Sequence, residues 1–152
     1  MKIIEYNEDY KKQWDDFVLK SNNGTMFQMQ KFFDYHTPGK FTFNHLIFLE
    51  NNKIKAVLPG RLQDGLFESP IGASYGSIVT GDITFAESLE LVELLIDYAK
   101  QIGIKELMLT PAPMIYEKYQ NQNLDFAMLW LGFKFQLHYI SSAIKLDSSR
   151  DI

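Results

Sequence analysis

The chain has 152 residues, 46% hydrophobic and 14% aromatic, enough for the core of one domain and too apolar for a disordered segment. Lysine and arginine total 15 against 19 aspartates and glutamates, a formal net charge of -4, so the electrostatic footprint of a nucleic-acid-binding protein is missing. With no cysteine, disulfides, a thiol nucleophile and cysteine metal sites are excluded, and the composition fits a cytoplasmic protein. The start, Met1 to Asp9, turns acidic without a signal-peptide core, and no apolar run is long enough to suggest a membrane span.

Lys2 to Tyr6 alternates like a short strand, and Asn7 stands as an N-cap before Glu8 and Asp9 in a favourable first turn. Tyr10, Trp14, Phe17 and Val18 then share one helical face, predicting a core-facing helix that stops before Asn22-Asn23-Gly24; the pairs Glu8-Asp9 and Asp15-Asp16 read as solvated charge. Met26, Met29, Phe32 and Phe33 predict a second helix to about Tyr35, ended by Pro38-Gly39. Phe41 to Leu49 and Lys53 to Leu62 read as an antiparallel hairpin around Asn51-Asn52, with Pro59 marking a bulge or an edge. A turn at Gly65 leads to a third strand, interrupted at Ser69-Pro70 and resumed from Tyr75 to Thr80.

Thr84 and Glu87 form a capping-box pattern for a helix from Phe85 to Ile102, whose stripe includes Leu91, Leu94, Leu95 and Tyr98 and whose end suits left-handed Gly103. Ile104 to Leu109 reads as a buried strand stopped by Thr110-Pro111-Ala112-Pro113. A short helix from Leu124 to Leu131, capped by Asn123 and ended at Gly132, precedes a last strand from Phe133 to Leu146 with a bend near Ser141-Ser142. The order strand, loop, helix, strand defines an α/β unit in which ligands sit at a strand's carboxyl end.

This element order, with Leu131-Gly132-Phe133, resembles the GNAT acyltransferase superfamily. Trp14-Asp15-Asp16-Phe17-Val18, Asn23-Gly24-Thr25, Phe32-Phe33-Asp34-Tyr35-His36, Ala56-Val57-Leu58-Pro59, Gly72-Ala73-Ser74-Tyr75-Gly76 and Pro113-Met114-Ile115-Tyr116, in that order, resemble its FemAB-like branch across nearly the whole chain. The resemblance implies an α/β fold with a GNAT-like mixed, mainly antiparallel sheet flanked by helices. It further implies acyl transfer, of N-acetyl or aminoacyl type, from a donor such as acyl-CoA to an amine on a small molecule or a peptidoglycan-precursor-like acceptor, with no metal. Residues 1–152 form a single GNAT-like domain on this reading, the first half of a tandem protein, completed by a second GNAT-like half or by a homodimer. The alternative is a non-catalytic binding or assembly half-domain. Where the superfamily places a glycine-rich diphosphate loop, Thr80-Gly81-Asp82-Ile83-Thr84 has one glycine and a carboxylate.

Gly72, Ser74, Tyr75, Gly76 and Ser77 are the candidate ligand-binding residues: glycine lets a ligand approach the backbone, and Tyr75 adds a phenol. The same stretch also reads as a bulged strand with an anchoring tyrosine. His36 beside Asp34 offers proton transfer or simple capping, and His45 and His138 lie in strand patterns with no third metal ligand at useful spacing. Arg61 offers a fork for an anion or a surface ion pair, and Tyr116, Lys118 and Tyr119 line the sheet's opening or pack the loop. The catalytic base has no sequence signature.

Overall fold

The computed structural model describes residues 1–138, 140 and 142. Strand β1 (Lys2–Glu5) leads to Asn7, whose side chain accepts from the Asp9 amide as expected of a cap. The first turn is a 3-10 turn over Glu8–Tyr10, and helix α1 proper spans Lys11–Lys20. Its apolar face buries Trp14 and Val18 against the sheet. Asp15 is a correction: it is buried, and its carboxylate accepts the Gln30 amide at 2.6 Å, capping the next helix from a distance. Asp16 stays outside, paired with Lys12.

The predicted second helix is broken. Thr25 and Gln28 close a capping box on a 3-10 turn, Met26–Gln28, after which Met29 is extended and helix α2 covers only Gln30–Phe33. Phe41 to His45 is likewise not strand; β2 begins at Leu46 and runs to Glu50. Asn51 and Asn52, with φ of 49° and 60°, then turn the chain into β3 (Lys53–Leu58), the conformation that a two-residue hairpin requires.

The single strand expected from Lys53 to Leu62 is divided at Pro59-Gly60, and its two parts enter different sheets. Strand β4 is Arg61–Gln63; after a second left-handed turn at Asp64-Gly65, β5 covers Leu66–Ser69. Of the stretch expected to resume at Tyr75, only Val79–Thr80 is strand, β6. Helix α3 (Phe85–Ile102) has its full capping box and ends on Gly103 at φ 80°, and β7 covers Glu106–Leu109. A 3-10 turn at Met114–Tyr116 and helix α4 (Asn123–Trp130) follow. Asn123 does not cap α4: its side-chain amide donates instead to the Ile83 carbonyl. Phe133 to His138 contains no strand, and the rest of that predicted strand lies outside the described residues.

One sheet has the order β1-β2-β3-β6 and is antiparallel throughout; the other has the order β4-β5-β7, with β5 and β7 parallel. The fold class is therefore as expected, a mixed, mainly antiparallel α/β arrangement. Leu91, Val92 and Leu95 of α3, with Ala127 and Met128 of α4, cover one face of the β2–β3 pair through Phe48 and Leu58. Trp14 and Val18 of α1 cover the other through Ile47 and Val57. Trp14 is 0% exposed and donates its indole N–H to the Gln28 carbonyl at 2.6 Å, which ties the broken second helix to α1.

Candidate functional site

The site begins where the sheet parts. Strand β7 runs beside β5 from Glu106 to Leu109, and the parallel pairing ends in a last bridge between Gly76 and Pro111. Beyond it, β6 continues along β3 while the chain after β7 turns away through Pro111, whose ring nitrogen cannot donate to a ladder. Asn22 and Asn23 span the gap. The Asn23 side chain accepts from the Thr80 amide (2.8 Å) and donates to the Ile78 carbonyl (2.9 Å), imitating one peptide group of a neighbouring strand. The Asn22 amide donates to the Thr80 carbonyl at 2.7 Å, and its side chain both donates to and accepts from the Tyr119 backbone at 2.8 Å. No local pattern marked this pair as more than a turn, because its partners lie more than fifty residues away.

The five expected ligand-binding residues lie on the excursion between β5 and β6 and divide into two groups. Gly76 and Ser77 are internal: the Gly76 amide donates to the Thr110 carbonyl, and the Ser77 amide donates to the Ser69 hydroxyl, which in turn donates to the Pro59 carbonyl. A Cβ at Gly76 would collide with Ser69 and the Pro70 nitrogen. Ser77, 1% exposed, holds φ at 69°, and its buried hydroxyl has no hydrogen-bond partner among the described residues. Gly72, at φ 67°, packs its backbone against Phe41 and His36, and Ser74 is exposed. Tyr75 is half-buried between Phe27 and Tyr116, with ring centroids at 5.7 and 5.9 Å, and partial desolvation, with Tyr116 beside it, pushes its phenol up.

A small cleft of about 40 Å³ lies at the parting, its walls including Asn22, Thr80, Gly81, Pro111, Glu117 and Asp125. Loss of water around Glu117 raises its carboxyl above the usual range; the Asn121 amide, donating at 2.9 Å, opposes the shift, and nearby Asp125 adds to it. Asp125 is raised by desolvation too, although the residue as a whole is exposed. These are the two carboxyls on the cleft raised by desolvation, and sequence reading marked neither. Gly81 differs from the other glycines of this region: a Cβ there would meet no atom within 4 Å, and its φ lies outside the left-handed range. Neither backbone conformation nor packing requires glycine at Gly81, and the cleft wall is open there.

A CoA diphosphate does not fit the start of α3. The Thr84 hydroxyl occupies the Glu87 amide, the Glu87 carboxylate occupies the Thr84 amide, and Asp82 adds a second carboxylate just upstream. No lysine or arginine occurs from Val79 to Ala99, and Lys55, the cation near Glu87, is already paired with Glu50 at 3.0 Å. Helix N-termini attract anions through free amides and positive potential; here the capping box takes the Thr84 and Glu87 amides, and the Asp82 and Glu87 carboxylates oppose a further anion.

The other candidates are dispersed. Asp34 pairs with Lys11 at 2.8 Å and makes no hydrogen bond to His36, whose buried Nε2 has no partner among the described residues and whose ring packs edge-on to Phe41 and Phe32. Arg61 is committed to Glu68, its cross-strand partner, at 2.6 Å. His45 is buried just before β2, whereas His138 stacks on Phe135 outside any strand. Lys118 donates its ammonium to the Leu19 carbonyl and, with Tyr119, forms the outer bank of the gap. Among the described residues no group of three metal-ligating side chains occurs, and no helix is long and apolar enough to cross a membrane.

Two solved structures share this architecture. An apo aminoglycoside antibiotic 6'-N-acetyltransferase, AAC(6')-IG from Acinetobacter haemolyticus, superposes with a TM-score of 0.52 at 16% identity, over 97% of this chain and 100% of its own. A point mutant of TTHA1254 from Thermus thermophilus gives 0.51 at 15% identity, over 99% and 100%. No protein-family model and no curated protein sequence matches the chain. The likeness is one of fold: the mixed, mainly antiparallel α/β arrangement is shared with a solved N-acetyltransferase.

Proposed function

We propose that the chain is an acyltransferase domain of GNAT-like fold that moves an acyl group to an amine in the cleft beside β6. The observation that carries this reading is the parting of the sheet with a desolvated carboxyl, Glu117, and an unobstructed glycine, Gly81, on the same cleft wall. In the reaction the amine nitrogen attacks the carbonyl carbon of an activated ester or thioester while its proton passes to the Glu117 carboxylate; the carbonyl re-forms, and the alcohol or thiol leaves with that proton. A raised carboxyl is the stronger base, which suits Glu117 to this role. Because the α3 start is self-capped and acidic, the donor is held without a diphosphate site there. The FemAB-like resemblance adds an aminoacyl or N-acetyl donor and an amine acceptor of small-molecule or peptidoglycan-precursor type.

The test is thiol release from S-acetylpantetheine, a thioester lacking the diphosphate, with glycinamide as acceptor. The wild-type chain accelerates the reaction, and Glu117→Gln loses about a hundredfold with an unchanged circular dichroism spectrum. No acceleration by the wild type, or equal rates for the two proteins, overturns the assignment.

A second reading, a binding or assembly half-domain, is favoured by one surface. Phe85, Phe126 and Trp130 form an exposed aromatic series at the α3–α4 junction, with ring centroids at 5.5 and 6.1 Å. A second GNAT-like half or a second copy would cover it. Self-association that Trp130→Lys abolishes, in a chain without transferase activity, would establish that reading instead.

A further inference from the structure

Among the described residues, four strand edges have no strand beside them: those of β1, β6, β4 and β7. Three are blunted. The outer edge of β6 is closed by the Asn23 side chain, and that of β4 by Asn44, whose side-chain oxygen accepts the Leu62 amide at 2.9 Å. Strand β1 begins and ends on exposed charged residues, Lys2 and Glu5. Blocked and charged edges resist pairing with another chain.

Strand β7 is different. Its parallel pairing with β5 uses alternate residues: the Glu106 amide donates to the Gly65 carbonyl at 3.2 Å, and the Thr110 amide donates to the Ser69 carbonyl at 2.7 Å. In a parallel ladder the intervening residues face the other way, so Leu107 and Leu109 turn their amides and carbonyls to the outer edge. Neither a strand nor a turn or side-chain hydrogen bond meets them there among the described residues. Leu107-Met108-Leu109 carries no charge, and all three residues are only half-buried although Leu107 and Leu109 pack on the main core.

The same chain carries a segment suited to that edge. After the left-handed Gly132 (φ 100°), Phe133, Phe135 and Leu137 alternate with Lys134, Gln136 and His138, the period of a strand with one apolar face. The segment is not strand in its own chain; the Phe133 amide donates to the Met128 carbonyl at the end of α4, and no pairing with β7 follows. Phe133 packs on the core, but Phe135 is 65% and Leu137 70% exposed. One chain therefore holds both an unfilled strand edge and an unburied strand-forming segment, and residues 133–138 do not fill the edge of their own copy.

We propose that two copies of this chain exchange these segments. Residues 133–138 of each copy add as a strand to the β7 edge of the other, bonding to the Leu107 and Leu109 backbone and laying Phe135 and Leu137 beside the half-buried leucines. The occupant is a second copy because both complementary parts lie on one chain, and reciprocal exchange about a two-fold axis fills both β7 edges, so the assembly closes at a dimer. The interface is distinct from the Phe85, Phe126 and Trp130 surface, and it does not depend on the acyl-transfer reading.

The experiment follows the mass of the full chain by sedimentation equilibrium across the micromolar range, with hydrogen exchange of the Leu107 and Leu109 amides read at the same concentrations. A dimer with a Kd of about 10 μM or tighter is expected, and both amides gain protection as it forms. Phe135→Asp, at an exposed position and with an unchanged circular dichroism spectrum, weakens the dimer at least about tenfold and returns both amides to fast exchange. Trp130→Lys leaves mass and protection as in the wild type. A monomer at every concentration, protection of the two amides that does not vary with concentration, or a dimer broken by Trp130→Lys and not by Phe135→Asp overturns the proposal; the second of these results assigns the edge to the chain's own tail, and the third assigns association to the α3–α4 surface.

Discussion

Acidification from pH 7 to pH 5 lowers the stability of this protein by about 2 kcal/mol through His45 alone. His45 is enclosed by Trp14, Phe33 and Phe43 and holds the Gly60 amide on Nδ1, so the folded state keeps the ring neutral down to about pH 3. In the unfolded chain it titrates near pH 6.5. Between those values the unfolded state binds the additional proton, so this contribution is complete above pH 6.5 and is lost as pH falls toward 3. Each pH unit inside the window is worth about 1.4 kcal/mol, and the interval from 7 to 5 contains roughly 1.5 such units. The figure requires only that the folded pKa lie below 5. The assay is urea unfolding followed by tryptophan fluorescence at both pH values, for the wild type and His45→Gln, with the denaturant slope checked for constancy. The difference between the two proteins should narrow by about 2 kcal/mol at pH 5. An equal loss of stability in both would show that His45 titrates alike in the folded and unfolded states, and would refute the buried neutral ring.

Three further outcomes follow from the packing. Asn23→Ala strips partners from the Thr80 amide and the Ile78 carbonyl, both in buried residues, and should destabilise by about 2 kcal/mol in chemical denaturation. Gly76→Ala and Gly81→Ala should diverge. The first collides with Ser69 and Pro70 and lowers Tm sharply; the second meets nothing, leaves Tm unchanged, and reduces acyl transfer by narrowing the cleft. Thr84→Ala removes the α3 cap at a cost of about 1 kcal/mol, with no more than a minor effect on transfer.

What was legible in the sequence was local. The capping box of Thr84 and Glu87, the left-handed Gly103 and the Asn51-Asn52 turn each depend on residues within a few positions, and each occurs as read. Pro59 was a correct warning of irregularity, but its consequence, division of one strand between two sheets, depends on where β5 and β7 pair. The second helix fails because the apolar spacing of Met26, Met29, Phe32 and Phe33 imitates one helical period, whereas the Thr25–Gln28 box closes a separate turn and Met29 is extended. Asp15 and the pair Asn22-Asn23 resemble solvent-facing polar residues; their roles come from Gln30, Thr80 and Tyr119, brought in by the fold. Glu117 and Asp125 left no trace for the same reason, since desolvation is a property of the assembled cleft rather than of their neighbours in sequence.

The acyl-transfer account is tested most directly by comparing kcat/KM for acetyl-CoA and S-acetylpantetheine with one primary amine. With α3 capped by its own carboxylate, the two donors should be used equally within about fivefold, the most that an exposed helix dipole contributes. Transfer from neither donor would contradict the assigned function, and a preference of about a hundredfold for acetyl-CoA would contradict the reading of the α3 terminus.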